Sequence, residues 1–407
     1  MKKFLALALA LCMVFALCAC GQSSTSAAPA ASSEEASSDN VIKVGIFEPT
    51  SGQNGAGGKK EILGIEYAHS LYPTVEINGV EYEIQLVTAD NQSDSAKAPT
   101  AAQALISQNV SAVIGTYGSG CAIAAGDLFA DAKIPAVGTS CTNPQVTLGN
   151  DYYFRICYID PFQGAVMASY ALKQGCKNCA VIVEAGDDYS AGFGTYFANA
   201  MVDGGAKCET ITFQTGETDF STIMANVKSA GYDGIFAPVS IETAPLIINQ
   251  AREAGVDCQI MAGDTWDDSS IGTRAGENAN GVFFSCFFDQ TDKSNTAGAE
   301  FVDGFLAWLN QDATRVDNNG GKDNGGDVNI SSVTPCGYDA YMAVYNAIKE
   351  AQSTDGAAIR DALANLKVSG LVTGDLSFDE NGDAIKNYVA IKTFQDGQIV
   401  FSDAYNG

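Results

Sequence analysis

Residues Val110–Pro144 read VSAVIGTYGSGCAIAAGDLFADAKIPAVGTSCTNP. Two short apolar runs, Ala112–Ile114 and Ala136–Val137, each lead into glycine and hydroxyl residues. Thr116-Tyr117-Gly118-Ser119-Gly120 follows the first, and Gly138-Thr139-Ser140-Cys141-Thr142 follows the second. An Ala-rich segment of helical composition starts near Cys121 and separates them. The order strand, loop, helix, strand, loop is the repeating unit of a parallel α/β sheet. In such a sheet the loops at the carboxyl ends of the strands open on one crevice, where ligands bind. Small side chains let the backbone approach a ligand, and free N–H groups at a helix start favour an anion. Hydroxyls with no Lys or Arg beside them suit a carboxylate better than a polyphosphate. The stretch therefore predicts half of a pocket for one small carboxylate.

The same alternation continues on both sides. Upstream, Ile42–Phe47 is a strand, followed by Glu48-Pro49-Thr50-Ser51-Gly52-Gln53-Asn54-Gly55-Ala56-Gly57-Gly58-Lys59-Lys60. That loop fails as a phosphate-binding motif. Gln53 stands where the first glycine is required, and Lys60 where the Ser or Thr after the lysine belongs. A helix, the strand Tyr82–Thr88 and a helix over Ser93–Gln108 come next. Downstream, a strand leads to Asp160 and a helix runs from about Phe162 to Gln174. The strand Ala180–Glu184 ends at Ala185-Gly186-Asp187-Asp188-Tyr189, and the strand Gln259–Ala262 ends at Gly263-Asp264-Thr265-Trp266-Asp267-Asp268. Strands alternating with helices over about 365 residues exceed one comfortable core. The expected fold is α/β, with two doubly wound parallel-sheet lobes and a cleft between them.

Composition excludes several functions. The 407 residues carry 48 acidic and 22 basic side chains, a net charge of −26. A nucleic-acid surface needs clustered Lys and Arg. A broad contact with anionic lipid is equally disfavoured. The chain opens Met1-Lys2-Lys3 and continues with an apolar run to Ala19, too short to span a bilayer. The run ends Leu17-Cys18-Ala19-Cys20-Gly21, which resembles a bacterial lipobox with Cys20 as the acylated residue. Residues 1–19 thus read as a lipoprotein signal peptide. Residues 20–40, rich in Ser, Ala and Glu, read as a disordered tether spanning roughly 25 Å.

A set of short motifs falls in a familiar order: Pro49-x-Ser51-Gly52, Val113-Ile114-Gly115 before Ser119, Thr142-Asn143-Pro144, Phe154-Arg155 before Asp160-x-x-Gln163-Gly164, Asp219-Phe220, and Phe378-Asp379-x-Asn381-Gly382-Asp383. With them the chain from Val41 onward resembles substrate-binding proteins of the leucine/isoleucine/valine-binding type, from branched-chain amino-acid ABC transporters. The resemblance implies a periplasmic-binding fold of type I that closes about a three-segment hinge. The crossings are expected near Ile156–Asp160, Ser285–Phe288 and Val372–Asp375. One lobe would then hold 41–158 plus 288–372, and the other 159–287 plus 373–407.

The resemblance also implies roles for single residues. Ser119 and Thr142, with the backbone at Ser140 and Cys141, match positions that hold a ligand carboxylate. Tyr189 falls where the second lobe supplies a tyrosine, and Asp264 where an acid pairs with the α-amino group. Asp160, at the first crossing, adds charge near that ammonium. Some members cover the ligand side chain with an aromatic near the position of Gly57. Here Tyr117 and Trp266 stand beside the anchor residues as substitute walls, so a pocket larger or more polar than one for leucine is expected. The implied protein is a lipid-anchored, extracytoplasmic monomer on a bacterial membrane. It captures an amino acid, delivers it to an ABC permease, and touches the membrane only through its N-terminal lipid. A related amide or small carboxylate stays open as ligand, as does a sensor uncoupled from transport.

No cofactor and no catalysis are implied, because the chain has one histidine, His69. Asp187-Asp188 and Asp267-Asp268 read as loop residues or helix starts. Cys176-x-x-Cys179 lacks a second such pair in the sequence, so buried or reduced thiols are expected rather than a metal. Cys121 and Cys141 suggest a disulfide across the organising loops. Asp317–Asp327 breaks the calcium-loop pattern, with Lys322 where glycine is required, and reads as a surface insertion.

Overall fold

Fifteen strands appear in the computed structural model, which describes residues 40–321 and 328–406. In chain order they are β1 (Val41–Glu48), β2 (Thr74–Ile77), β3 (Val80–Asp90), β4 (Ala112–Ile114), β5 (Ala136–Gly138), β6 (Tyr153–Arg155), β7 (Asn178–Glu184), β8 (Lys207–Phe213), β9 (Gly234–Phe236), β10 (Gln259–Ala262), β11 (Phe283–Cys286), β12 (Lys367–Val368), β13 (Leu376–Ser377), β14 (Tyr388–Gln395) and β15 (Gln398–Asn406). The signal segment, the tether and Cys20 lie outside the described residues, as does most of the Asp317–Asp327 insertion. No described helix is long and apolar enough to cross a membrane.

The first sheet has the order β2-β3-β1-β4-β5-β6, and the second β15-β14-β11-β10-β9-β7-β8. Each is parallel at its centre. Val44 pairs with Ala112, Val113 with Ala136 and Val137 with Phe154 in the first sheet; Ala180 pairs with Ile235 in the second. Strands β4, β5, β6 and β9 are buried on both faces, as sheets covered by helices on each side require. The strand order reverses between β1 and β4 in the first sheet and between β7 and β9 in the second. The carboxyl ends at these two switch points are the ligand-binding edges of a doubly wound sheet.

Two antiparallel hairpins extend the edges of the sheets. Asn78-Gly79 joins β2 to β3 with positive φ at both residues, the geometry of a type I′ turn. Asp396-Gly397 does the same between β14 and β15. Both dipeptides are standard hairpin signals, hidden by the charged and aromatic residues that flank them.

The chain passes between the sheets three times. It leaves β6 and enters the helix Asp160–Lys173, which packs beside the helix Asp188–Asp203 of the second sheet. It returns after β11 to the helix Thr296–Leu309, where Phe301 and Phe305 meet Tyr67 of the first lobe. The third passage lies later than Val372–Asp375. Phe378 packs on Phe154 with ring centroids 5.1 Å apart, and Asp383 pairs with Arg155. These contacts keep the chain on the first lobe until it reaches β14.

Candidate ligand cleft

A cavity of about 360 Å³ lies between the carboxyl edges of the two sheets. The loops after β1, β3, β4 and β5 line one side, and those after β7, β8, β9 and β10 the other. Of the residues singled out in the sequence, Tyr117, Ser119, Ser140, Tyr189 and Asp264 line it.

On the first lobe, Ser119 is the first residue of the helix Ser119–Asp131. Gly118 precedes it with φ 102°, and no side chain caps the helix start. The free N–H groups there carry the positive end of the helix dipole. Ser119 Oγ accepts the Asn143 N–H at 3.1 Å, which ties the two organising loops together. Thr142 is buried, and its hydroxyl has no described partner. Arg155 fixes this loop from behind. Its Nη1 donates to the carbonyls of Cys141 and Asn143 at 2.7 and 2.6 Å, and its Nε pairs with Asp383 Oδ1 at 2.5 Å. Cys141 is wholly buried and does not line the cavity. Cys121 and Cys141 are both free thiols rather than a disulfide, and burial raises each to about 12.

Tyr117 is packed in place. Its N–H donates to Glu48 Oε2 at 2.7 Å. A Cβ at Gly57 would come within 2.4 Å of the Tyr117 ring, so the ring occupies the space above that glycine. Behind it, Thr139 Oγ1 lies 3.1 Å from Glu48 Oε1 and 2.8 Å from Glu61 Oε2. Burial raises both carboxyls, Glu61 to about 7, and the Glu61 charge raises Glu48 further. The pair therefore holds a proton at neutral pH.

On the second lobe, Asp264 Oδ1 accepts from Tyr189 OH and from Gln163 Nε2, each at 3.0 Å. Ser285 Oγ in turn donates to Gln163 Oε1 at 2.8 Å. Burial lifts the Asp264 carboxyl to about 6, against those two hydrogen bonds. Gly263 makes the arrangement possible, since a Cβ there would fall 2.6 Å from Tyr189 OH and 2.2 Å from Phe193. Asp160 is completely buried, and neither carboxyl oxygen has a described partner. Burial, with the Asp264 charge adding to it, raises Asp160 to about 8.

Trp266 does not line the cavity. It is fully buried, with its indole N–H donated to the Val239 carbonyl at 3.2 Å. A large ring beside a loop acid gains more by filling the lobe core than by facing water. The second lobe instead presents Glu184, Asp187, Asp188, Thr215 and Ser240 to the cavity. No Lys or Arg is among the described lining residues.

Residues with no local sequence signal hold the lobes together. Lys60 of the first lobe pairs with Asp268 of the second at 2.7 Å. Asp267 pairs with Lys392 at 3.1 Å and accepts the Ser332 N–H at 2.7 Å. Asn143 Nδ2 donates to the Asp188 carbonyl, and the Ile241 N–H to Asn54 Oδ1. Asp268 is also a helix cap, accepting the Ser270 N–H, so the local expectation for Asp267-Asp268 described half of what they do.

Comparison with known proteins agrees with this geometry. A family model described as periplasmic binding protein matches residues 41–398. The crystal structure of the leucine binding protein LivK from Thermotoga maritima superposes with a TM-score of 0.81. It shares 30% identity and covers 90% of this chain and 99% of its own. The branched-chain amino acid transporter substrate binding protein LivJ from Streptococcus pneumoniae, solved with isoleucine, gives 0.77 at 28% identity, with coverages of 90% and 99%. A Leu/Ile/Val-binding protein homolog of Brucella abortus is 27% identical over 356 residues, 86% of this chain and 90% of its own length.

Proposed function

The chain belongs to the periplasmic binding protein family, and from that premise we propose that it captures an α-amino acid in the cleft and delivers it to an ABC permease. The observation that carries this reading is the polarity of the cleft's two sides. The first lobe offers the hydroxyls of Ser119 and Ser140 and the free N–H groups at the start of the helix Ser119–Asp131 to a carboxylate, with Asp94 as its lining acid and Thr142 and Cys141 buried outside the lining. The second offers Asp264, steadied by Tyr189 and Gln163, to an ammonium. A ligand bearing both charges bridges the lobes, and its differential affinity for the closed form drives closure. Asp160 stands outside the cavity lining, and with its carboxyl lifted to about 8 by burial it is mostly protonated at neutral pH.

The side chain of the ligand meets Glu184, Asp187 and Asp188 rather than an aliphatic wall. Trp266 is withdrawn into the core, and Tyr117 and Tyr189 are the aromatics of the lining. This favours an amino acid with a polar or cationic side chain over a branched aliphatic one, since an apolar group would leave these acids desolvated without a partner.

In the same reading the mature protein is a monomer. It begins at an acylated Cys20, is tethered outside the cytoplasmic membrane, and divides into the two lobes at the passages after β6, after β11 and before β14. A thermal-shift and calorimetric panel of the amino acids, their amides and simple carboxylates tests the reading. The midpoint is expected to rise with an α-amino acid, and most with one bearing a polar or basic side chain. Binding contributes RT ln(1 + [L]/Kd), about 2.7 kcal/mol at a hundredfold excess over Kd. A rise with amides or carboxylates alone would reassign the ammonium site.

A further inference from the structure

At the edge of the second sheet opposite the cleft, the amino ends of three strands bring sulfur and carboxylate together. Cys176 lies just before β7, Cys179 is its second residue, Cys208 is the second residue of β8, and Asp233 immediately precedes β9. Cys179 is in register with Cys208 on one side and Gly234 on the other. Register partners on parallel neighbours project to the same face. The Sγ atoms of Cys176 and Cys179 and a carboxylate oxygen of Asp233 all lie within 4.8 Å of one another.

Gly234 provides the space. A Cβ there would come within 2.7 Å of Cys179 Sγ and 3.2 Å of Cys176 Sγ. The Asp233 carboxylate is held by the Lys177 and Asn178 N–H groups at 2.9–3.0 Å. Those bonds orient the carboxylate and leave acceptor capacity on it. Both Cys176 and Cys179 are buried, while Asp233 is exposed and Cys208 partly so, which gives an ion a way in.

We propose that Cys176, Cys179 and Asp233, with Cys208 as fourth ligand, bind a thiophilic divalent cation, zinc by the chemistry of the donors. The Cys-x-x-Cys spacing chelates one ion from a single turn. Two or three thiolates with one carboxylate select a soft or borderline ion over calcium or magnesium. The ion joins the starts of β7, β8 and β9 at the end of the sheet remote from the ligand. Its effect is on the stability of the second lobe.

Cobalt(II) is the probe. Added to the purified protein, reduced and metal-free, one equivalent is expected to produce a thiolate-to-cobalt charge-transfer band and the visible bands of a tetrahedral site, both displaced by zinc. Cys176→Ser and Cys179→Ser are expected to abolish the bands, and Asp233→Asn to weaken binding about tenfold. Cys336→Ser, at a buried thiol of the other lobe, is expected to keep them. Absence of the bands in the unaltered protein, or their survival in Cys176→Ser, overturns the site. So does a Cys176–Cys179 disulfide in freshly isolated protein. Should Cys179→Ser fail to fold, Asp233→Asn, at an exposed position, still decides the matter, because unchanged cobalt affinity there refutes the ligand set.

Discussion

Lys60 Nζ sits 2.7 Å from Asp268 Oδ2, both side chains are almost wholly buried, and the two residues belong to different lobes. Asp268 would resist ionisation in this burial, but the Lys60 charge and hydrogen bond hold its pKa below the usual carboxylate value. The pair is therefore a charged contact between the lobes.

Lys60→Met is expected to destabilise the protein by about 3–5 kcal/mol, because it strands a buried carboxylate. Lys60→Met with Asp268→Leu is expected to recover most of that loss, since no unpaired charge remains. Urea unfolding of the three proteins checks this. A loss under about 1 kcal/mol for the single variant would mean the pair is solvated in solution.

Asp264→Ala is expected to weaken amino-acid binding by a hundredfold or more while leaving the unfolding midpoint nearly unchanged. The carboxylate is buried at a cost and pairs fully only with a cation. Calorimetry and circular dichroism separate the two effects. Wild-type affinity in the variant would place the ammonium elsewhere.

Gly57→Ala is expected to lower affinity, because its Cβ drives into the Tyr117 ring at 2.4 Å. Tyr117→Ala in the same chain should relieve the clash and restore folding stability. An affinity unchanged by Gly57→Ala alone would show that the ring is free to swing away.

Affinity for an ammonium ligand is expected to rise with pH from 5 to 7 and then level. The Asp264 carboxyl, lifted to about 6 by burial, must lose its proton to pair with the cation. Titration calorimetry across this range reads it. A flat profile would show that Asp264 is not the partner.

Stability of the ligand-free protein is expected to run the other way. Burial raises Glu61 to about 7, Asp160 to about 8 and Asp264 and Asp187 to about 6 in the folded state. The unfolded chain releases these protons near pH 4, so between pH 4 and 8 it binds fewer protons than the native state. Unfolding free energy then falls as pH rises, at about 1.4 kcal/mol per unit for each fully linked group. Asp268, with its lowered pKa, opposes the trend only below about pH 4. Denaturant midpoints at pH 5 and 8 measure the difference, and a higher midpoint at pH 8 would contradict it.

Much of the fold was legible because parallel sheets write themselves locally. A strand buried on both faces must be continuously apolar, as at Ala112–Ile114, and the loop that follows must be small to let a ligand approach. The family resemblance placed Ser119, Tyr189 and Asp264, and all three line one cavity. In sequence Trp266 reads as a wall because its neighbour Asp264 faces the cleft; in the tight turn Gly263–Asp267 successive side chains point in different directions, and the ring goes to the core.

What the sequence determined by itself was the alternation of strands and helices, the two-lobed class and the small, hydroxyl-rich loops at Val110–Pro144. These follow from hydrophobic period and backbone conformation, which act over a few residues. Only the tertiary structure decided which charges meet. Lys60 finds Asp268, Arg155 finds Asp383, and Cys179 lies beside Cys208 in register. Such pairs are set by strand order and helix packing across distant parts of the chain. Removed from water, each charge must end beside an opposite charge or give up its ionisation, and the fold chooses which.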